Sequence, residues 1–182
     1  TANTTASNNT AVGYQALTAN TTGIRNTAIG YQTLASNVSG NYNIAIGQTA
    51  LNKNTTSNNT AIGYNSQEET TSGGNNTSLG YQALQLNTTG INNTAVGSLS
   101  AQNNTTGARN VAIGQASLAT NTTGSDNIAL GYAALYTNSS GASNVAIGQS
   151  ALTANTTASN NVAMGHSALA ANTTGASNVA VG

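Results

Sequence analysis

Apolar residues recur in this chain at a fixed interval. The triplet A-[IVL]-G places glycines at Gly13, Gly30, Gly47, Gly63, Gly80, Gly97, Gly114, Gly131, Gly148, Gly165 and Gly182. The step is 17 residues everywhere except from Gly47 to Gly63, where the stretch Asn54-Thr55-Thr56-Ser57-Asn58 is one residue short. One unit reads N-[TVI]-A-[IV]-G-[YQ]-x-A-L-x-x-N-T-T-G-x-x. Immediately before the glycine stands Ile, Val, Leu or Met, and two residues earlier Thr, Ile or Val. Alternation with period two puts these positions on one face of a strand. Ala lies between them, from Ala11 to Ala180, with Ser78 the single replacement. Four residues after the glycine a second apolar position holds Leu17, Leu34, Leu51, Leu84, Leu118, Leu135, Leu152 and Leu169, with Gln67 and Ala101 as exceptions.

A helical reading fails on propensity, because Gly, Asn, Thr and Val are poor helix formers and each unit carries one or two glycines. The N-T-T-G segment reads as a turn, since Gly and Asn tolerate positive φ. The unit is too short for two helices and suits one coil of a solenoid with two short strands. The predicted fold is all-β: a β-solenoid, or parallel β-roll, of about eleven 17-residue turns forming a single repeat array over residues 1–182. Turns stacked at roughly 4.8 Å make a rod on the order of 50 Å long.

Stacking aligns identical residues into columns. Asn9, Asn26, Asn43, Asn59, Asn76, Asn93, Asn110, Asn127, Asn144, Asn161 and Asn178 stand four residues before each motif glycine. Their amides can bond from rung to rung, which gives them a structural role. The expected core is thin: about one Ile or Val, one Leu and several Ala or Thr per turn, stabilised by contacts between neighbouring turns. The restriction to Ala on the other strand face implies a second confined surface, between chains, and hence a homo-oligomer. Thr1 begins inside a loop and Gly182 ends on the motif glycine, the appearance of a window on a longer array or of a subunit stacking end to end.

Composition narrows the chemistry. Only three residues are basic and three acidic, and Cys, Pro, Trp and Phe are absent. Net charge is zero, which gives no electrostatic footprint for nucleic acid. No stretch approaches the roughly 18 consecutive apolar residues of a membrane span, so no membrane insertion is expected in this segment. With one His, one Asp and two Glu, no converging catalytic set and no metal-ligand spacing can be drawn. No cofactor and no enzymatic activity are expected. His166 reads as a rung in a column shared with Tyr, Gln and Ser. Asp126 reads as a turn residue, and Glu68 and Glu69 as surface variation in the most divergent unit.

The N-T-T segment offers the one candidate surface. Asn3, Asn20, Asn37, Asn54, Asn87, Asn104, Asn121, Asn138, Asn155 and Asn172 each begin an N-x-[ST] triplet. That triplet is the acceptor signal for N-glycosylation in a suitable secretory pathway. Asn and the second Thr would also form parallel polar ranks of the kind an ice-binding β-solenoid presents. Tyr14, Tyr31, Tyr64, Tyr81 and Tyr132 follow the motif glycine and form a candidate aromatic ladder for glycans or protein partners.

The string N-x-A-I-G, as in Asn110-Val111-Ala112-Ile113-Gly114 and Asn144-Val145-Ala146-Ile147-Gly148, resembles the head repeat of YadA-like trimeric autotransporter adhesins. The N-T-A-I-G-Y-x-A-L arrays are similar to those of phage tail-fibre-like and large bacterial surface proteins. The resemblance covers nearly the whole chain. It implies a left-handed parallel β-roll, three chains packed side by side, and an adhesive or spacer role outside the cell, at a cell surface or in a virion fibre. The expected function is therefore a structural segment of an extracellular fibre or adhesin. Its partners would be copies of itself and surface glycans or proteins. An ice-binding solenoid and a glycosylated filament subunit are the alternatives.

Overall fold

The computed structural model describes residues 5–182. Its regular structure is eleven strands of three residues: Thr10–Val12 (β1), Thr27–Ile29 (β2), Ile44–Ile46 (β3), Thr60–Ile62 (β4), Thr77–Leu79 (β5), Thr94–Val96 (β6), Val111–Ile113 (β7), Ile128–Leu130 (β8), Val145–Ile147 (β9), Val162–Met164 (β10) and Val179–Val181 (β11). They form one parallel sheet in chain order, each strand paired with the next. Register is repeat on repeat, as in Ala28↔Ala45 and Ala112↔Ala129. The short unit keeps it, with Ile44 opposite Thr60, so the missing residue is absorbed in the turn and not in the strand. The chain is a β-solenoid.

Each turn has one strand, not two. The segment after the motif glycine departs from extended backbone because alternate residues take positive φ: Gln32 at 53° and Leu34 at 49°, Ala116 at 55° and Leu118 at 53°. A left-handed conformation costs a non-glycine residue about 1–2 kcal/mol. Burying a leucine side chain returns about 1.5–3 kcal/mol, and Leu34, Leu51, Leu84, Leu118, Leu135 and Leu152 are fully buried. The amides here still reach adjacent turns, Leu118 N donating to Ala134 O (2.9 Å) and Ala116 N to Ser98 O (2.9 Å). Inter-turn bonding and leucine burial decide the conformation of this segment.

The strand faces are also the reverse of the sequence expectation. Alanine points inward: Ala28, Ala45, Ala61, Ala95, Ala112, Ala129, Ala146 and Ala163 are wholly buried. The larger residues on either side point outward, with Ile29 38%, Ile44 41%, Ile113 41% and Met164 41% exposed. The interior of a turn holds the strand alanine, a second small residue such as Ala83 or Ser117, one leucine and two asparagines. So narrow a cross-section leaves room for only a methyl group opposite the leucine. Alanine is thus fixed by packing within one chain, and the ground for inferring a second chain from it falls away.

The motif glycine closes each strand with φ between 122° and 144°. A Cβ at Gly131 would lie 2.7 Å from the backbone C and O of Gly148 in the next turn. Only glycine fits both the conformation and the close approach of stacked turns.

Candidate functional site

Two asparagine columns run through the interior. In the first, the Oδ1 of each Asn accepts the backbone N–H of the Asn one turn on. The bonds are 2.8 Å from Asn26 to Asn9 and 2.9 Å from Asn110 to Asn93, and they continue to Asn178 on Asn161 (2.9 Å). The Nδ2 of the same residues crosses to a carbonyl of the N-T-T-G corner, as from Asn93 to Gly107 O (2.9 Å). This column is uninterrupted from Asn9 to Asn178.

The second column is the asparagine of N-T-T, which lies inside. Asn20, Asn37, Asn54, Asn87, Asn104, Asn121, Asn138 and Asn155 are buried, Asn172 in the last turn is half-buried, and Asn3 lies outside the described residues. Asn121 Nδ2 donates to Asn104 Oδ1 (2.7 Å) and to Gly124 O (2.9 Å), and Asn138 repeats the pattern on Asn121 and Gly141. On the buried amides from Asn20 to Asn155, a glycan or an opposed ice surface is incompatible with the folded turn. The threonine that follows is also engaged: Thr88, Thr105 and Thr122 each donate Oγ1 to the backbone carbonyl of the following turn. Inward-facing amides satisfy the carbonyls that a tight corner leaves unpaired.

A second set of N-x-[ST] triplets overlaps the first asparagine column, which hides it in the sequence. Asn58, Asn75 and Asn92 begin N-N-T triplets, are exposed, and take φ of 64°, 60° and 58°. Asn8 shares the same position and exposure.

Charged groups sit on the outside and pair across turns. Arg109 clasps Asp126 through two bonds, Nε–Oδ1 2.6 Å and Nη2–Oδ2 2.8 Å. That hydrogen bond holds the Asp126 carboxyl below its ordinary value and raises the Arg109 guanidinium above its own. Lys53 Nζ meets Glu69 Oε2 at 2.6 Å, and this hydrogen bond raises the Lys53 ammonium. Glu68 accepts from Gln85 Nε2 (3.0 Å). Arg25 lies over the Tyr42 ring, 5.4 Å from its centre, and donates to the Tyr42 hydroxyl. His166 is exposed. Among the described residues no three His, Cys, Asp or Glu come together as a metal site, and no helix is long and apolar enough to cross a membrane.

The tyrosine column is exposed and partly stacked. Tyr14 and Tyr31 lie with ring centres 5.5 Å apart and planes 13° apart, and Tyr64 and Tyr81 repeat this at 5.5 Å and 8°. Stacking covers one face of each ring, and all four residues stay exposed. Tyr132 stands without a tyrosine in the adjacent turns.

The outer face of the sheet is formed by the first and third residues of each strand. From β7 to β11 its outward positions are Val111, Ile113, Ile128, Leu130, Val145, Ile147, Val162, Met164, Val179 and Val181, all aliphatic. From β1 to β6 threonine takes the first outward position in every strand except β3, where Ile44 stands, and Val, Ile or Leu the second. No outward strand position is charged. No protein-family model, no curated protein and no solved structure matches this chain.

Proposed function

We propose that this chain is a rigid structural module of an extracellular fibre or adhesin, and that it works as a homo-oligomer joined through the outer face of its sheet. The observation that carries the reading is that face: flat, uncharged and rich in aliphatic side chains along the rod. Its dimensions are about 50 Å by about 10 Å, on the order of 500 Å² per chain. An exposed, largely apolar patch of that size is at the upper end of what a monomer carries. Two such faces together bury about 1000 Å², the threshold of a specific interface. A trimer, as the repeat resemblance implies, would bring three copies of the face to a common axis. The Tyr column and the hydroxyl-bearing corners would then face outward as a repeated surface for glycans or protein partners.

Light scattering coupled to size exclusion tests this. A mass near three times 17.9 kDa supports the trimer, and Ile113→Lys with Ile147→Lys should reduce it to one chain without altering the circular dichroism. A monomeric wild type at tens of micromolar would overturn the reading. One observation favours ice binding as a second reading: three successive rungs, Thr60, Thr77 and Thr94, present hydroxyls beside Ile62, Leu79 and Val96 on the same flat face. It requires a monomer and thermal hysteresis that Thr77→Lys abolishes.

A further inference from the structure

The interior of the rod is continuous except at one place. The buried apolar residues fall into two clusters, one from Ala16 to Ala61 and the other from Ala83 to Ala168. Between them lies the turn from Gly63 to Gly80. Its leucine position holds Gln67 and its strand alanine is Ser78. Ser66 takes the second small position and Thr70 stands where the corner asparagine belongs. All four are fully buried.

These side chains form a polar plug. Ser66 and Ser78 share a hydroxyl hydrogen bond, and Gln67 Nε2 donates to Ser78 Oγ (2.8 Å) and to Thr60 O (2.9 Å). The plug is incompletely satisfied, because Gln67 Oε1 and Thr70 Oγ1 are buried without a partner. The fault extends into the short turn before it. There Asn54 Nδ2 turns to Thr56 O (2.9 Å) and its Oδ1 to Thr56 Oγ1 (3.1 Å) and Asn59 Nδ2 (3.1 Å), which leaves Asn37 Oδ1 as the third unpartnered buried atom. The corner ladder therefore runs from Asn20 to Asn37 and again from Asn87 to Asn172, and is broken between.

The opposite wall is intact. Strands β4, β5 and β6 pair in register across the fault. The first asparagine column crosses it unbroken, Asn59 N to Asn43 Oδ1 (3.0 Å), Asn76 N to Asn59 Oδ1 (2.9 Å) and Asn93 N to Asn76 Oδ1 (2.9 Å). Outside, Lys53–Glu69 and Glu68–Gln85 tie the divergent turn to the turns on either side. Half of the six charged residues of the chain are used here, yet exposed pairs of this kind stabilise little.

We propose that the turn from Gly63 to Gly80 is a built-in yield point: a one-sided hinge where the leucine–asparagine wall opens while the sheet holds, dividing the rod into two cooperative segments. In a quasi-one-dimensional fold each turn is held by its neighbours alone, so a weak interface becomes the boundary at which opening begins. The placement rests on the interior of one chain and stands whether or not the chains associate.

Amide hydrogen exchange on the whole chain tests it. Gln67 N and Glu69 N bond to Ala83 O and Gln85 O (both 3.0 Å), as Leu118 N and Thr120 N bond to Ala134 O (2.9 Å) and Tyr136 O (3.1 Å). The first pair should exchange roughly tenfold to a hundredfold faster than the second, the range set by one or two unsatisfied buried polar groups. The combined variant Ser66→Ala, Gln67→Leu, Thr70→Asn, Ser78→Ala should bring the two pairs to parity. Equal protection in the wild type, or a difference that survives the repair, overturns the proposal. If the combined variant does not fold, Thr70→Asn alone decides. It restores a ladder residue, and must slow exchange at Gln67 and Glu69 for the proposal to stand.

Discussion

Removing one corner asparagine probes how much of the rod's stability lies in its buried amides. Asn121→Ala deletes three hydrogen bonds: Nδ2 to Asn104 Oδ1 (2.7 Å), Nδ2 to Gly124 O (2.9 Å), and the bond its Oδ1 accepts from Asn138 Nδ2 (2.9 Å). Gly124 O keeps the Nδ2 of Asn110, and Asn138 Nδ2 keeps Gly141 O. Asn104 Oδ1 is left buried without a donor. Three bonds at about 1 kcal/mol each, with one orphaned acceptor at about 1–3 kcal/mol, give a loss of about 4–6 kcal/mol. The same change at Asn37 should cost less, about 1–3 kcal/mol. Asn37 makes only the two bonds to Asn20 Oδ1 and Gly40 O, and its own Oδ1 is already unpartnered. At Asn172, which is half-buried and open to water, the cost should be about 1 kcal/mol or below. Since a stacked array need not unfold as one unit, the quantity to measure is opening free energy from amide exchange in the altered turn, supported by urea unfolding. A loss below about 1 kcal/mol at Asn121, or the order Asn121 > Asn37 > Asn172 failing, would refute the view that the ladder is a main source of stability.

Gly131→Ala should destabilise by about 3 kcal/mol or more, because a positive-φ strain is joined by collision of its Cβ with the Gly148 backbone; thermal unfolding reads this directly. Stability should be nearly flat between about pH 5 and pH 9. Asp126, whose carboxyl is depressed, contributes stability above its unfolded value of 3.8 that is lost as pH falls through the folded value. Lys53, which is raised, contributes below 10.5 and loses that contribution as pH rises through its folded value. Melting temperatures across that range test this. If the folded protein is treated with a sequon-directed N-glucosyltransferase and UDP-glucose, hexose should map to Asn58, Asn75 and Asn92 and be absent from Asn104, Asn121 and Asn138; peptide mass mapping settles it.

Much of the fold is legible in the repeat. A 17-residue period with invariant Gly and Asn admits few structures besides a stacked coil. The motif glycines mark where turns approach too closely for a Cβ, and Asn9 to Asn178 mark a column that bonds between turns. Two features differ from the sequence expectation for related reasons. Burial of apolar side chains, the usual rule, points the β-branched residues inward, yet the restriction of the alternate position to alanine is the better guide to the narrow interior. Asn and Thr are typical of exposed turns, yet the N-T-T amides are what satisfies a buried corner.

Sequence by itself determined the period, the parallel in-register stacking and the near absence of titratable chemistry, since these follow from repetition and composition. Tertiary structure alone decided which side of each residue faces the interior. Period two says that alanine and isoleucine point oppositely but not which is inward, and that depends on the distance to the far wall, set by Leu118 and Asn121 and their counterparts in a different part of each turn. The same holds for the fault at Gln67. Its substitutions are visible along the chain, but that they interrupt one wall while the other runs on is a property of the stacked cross-section.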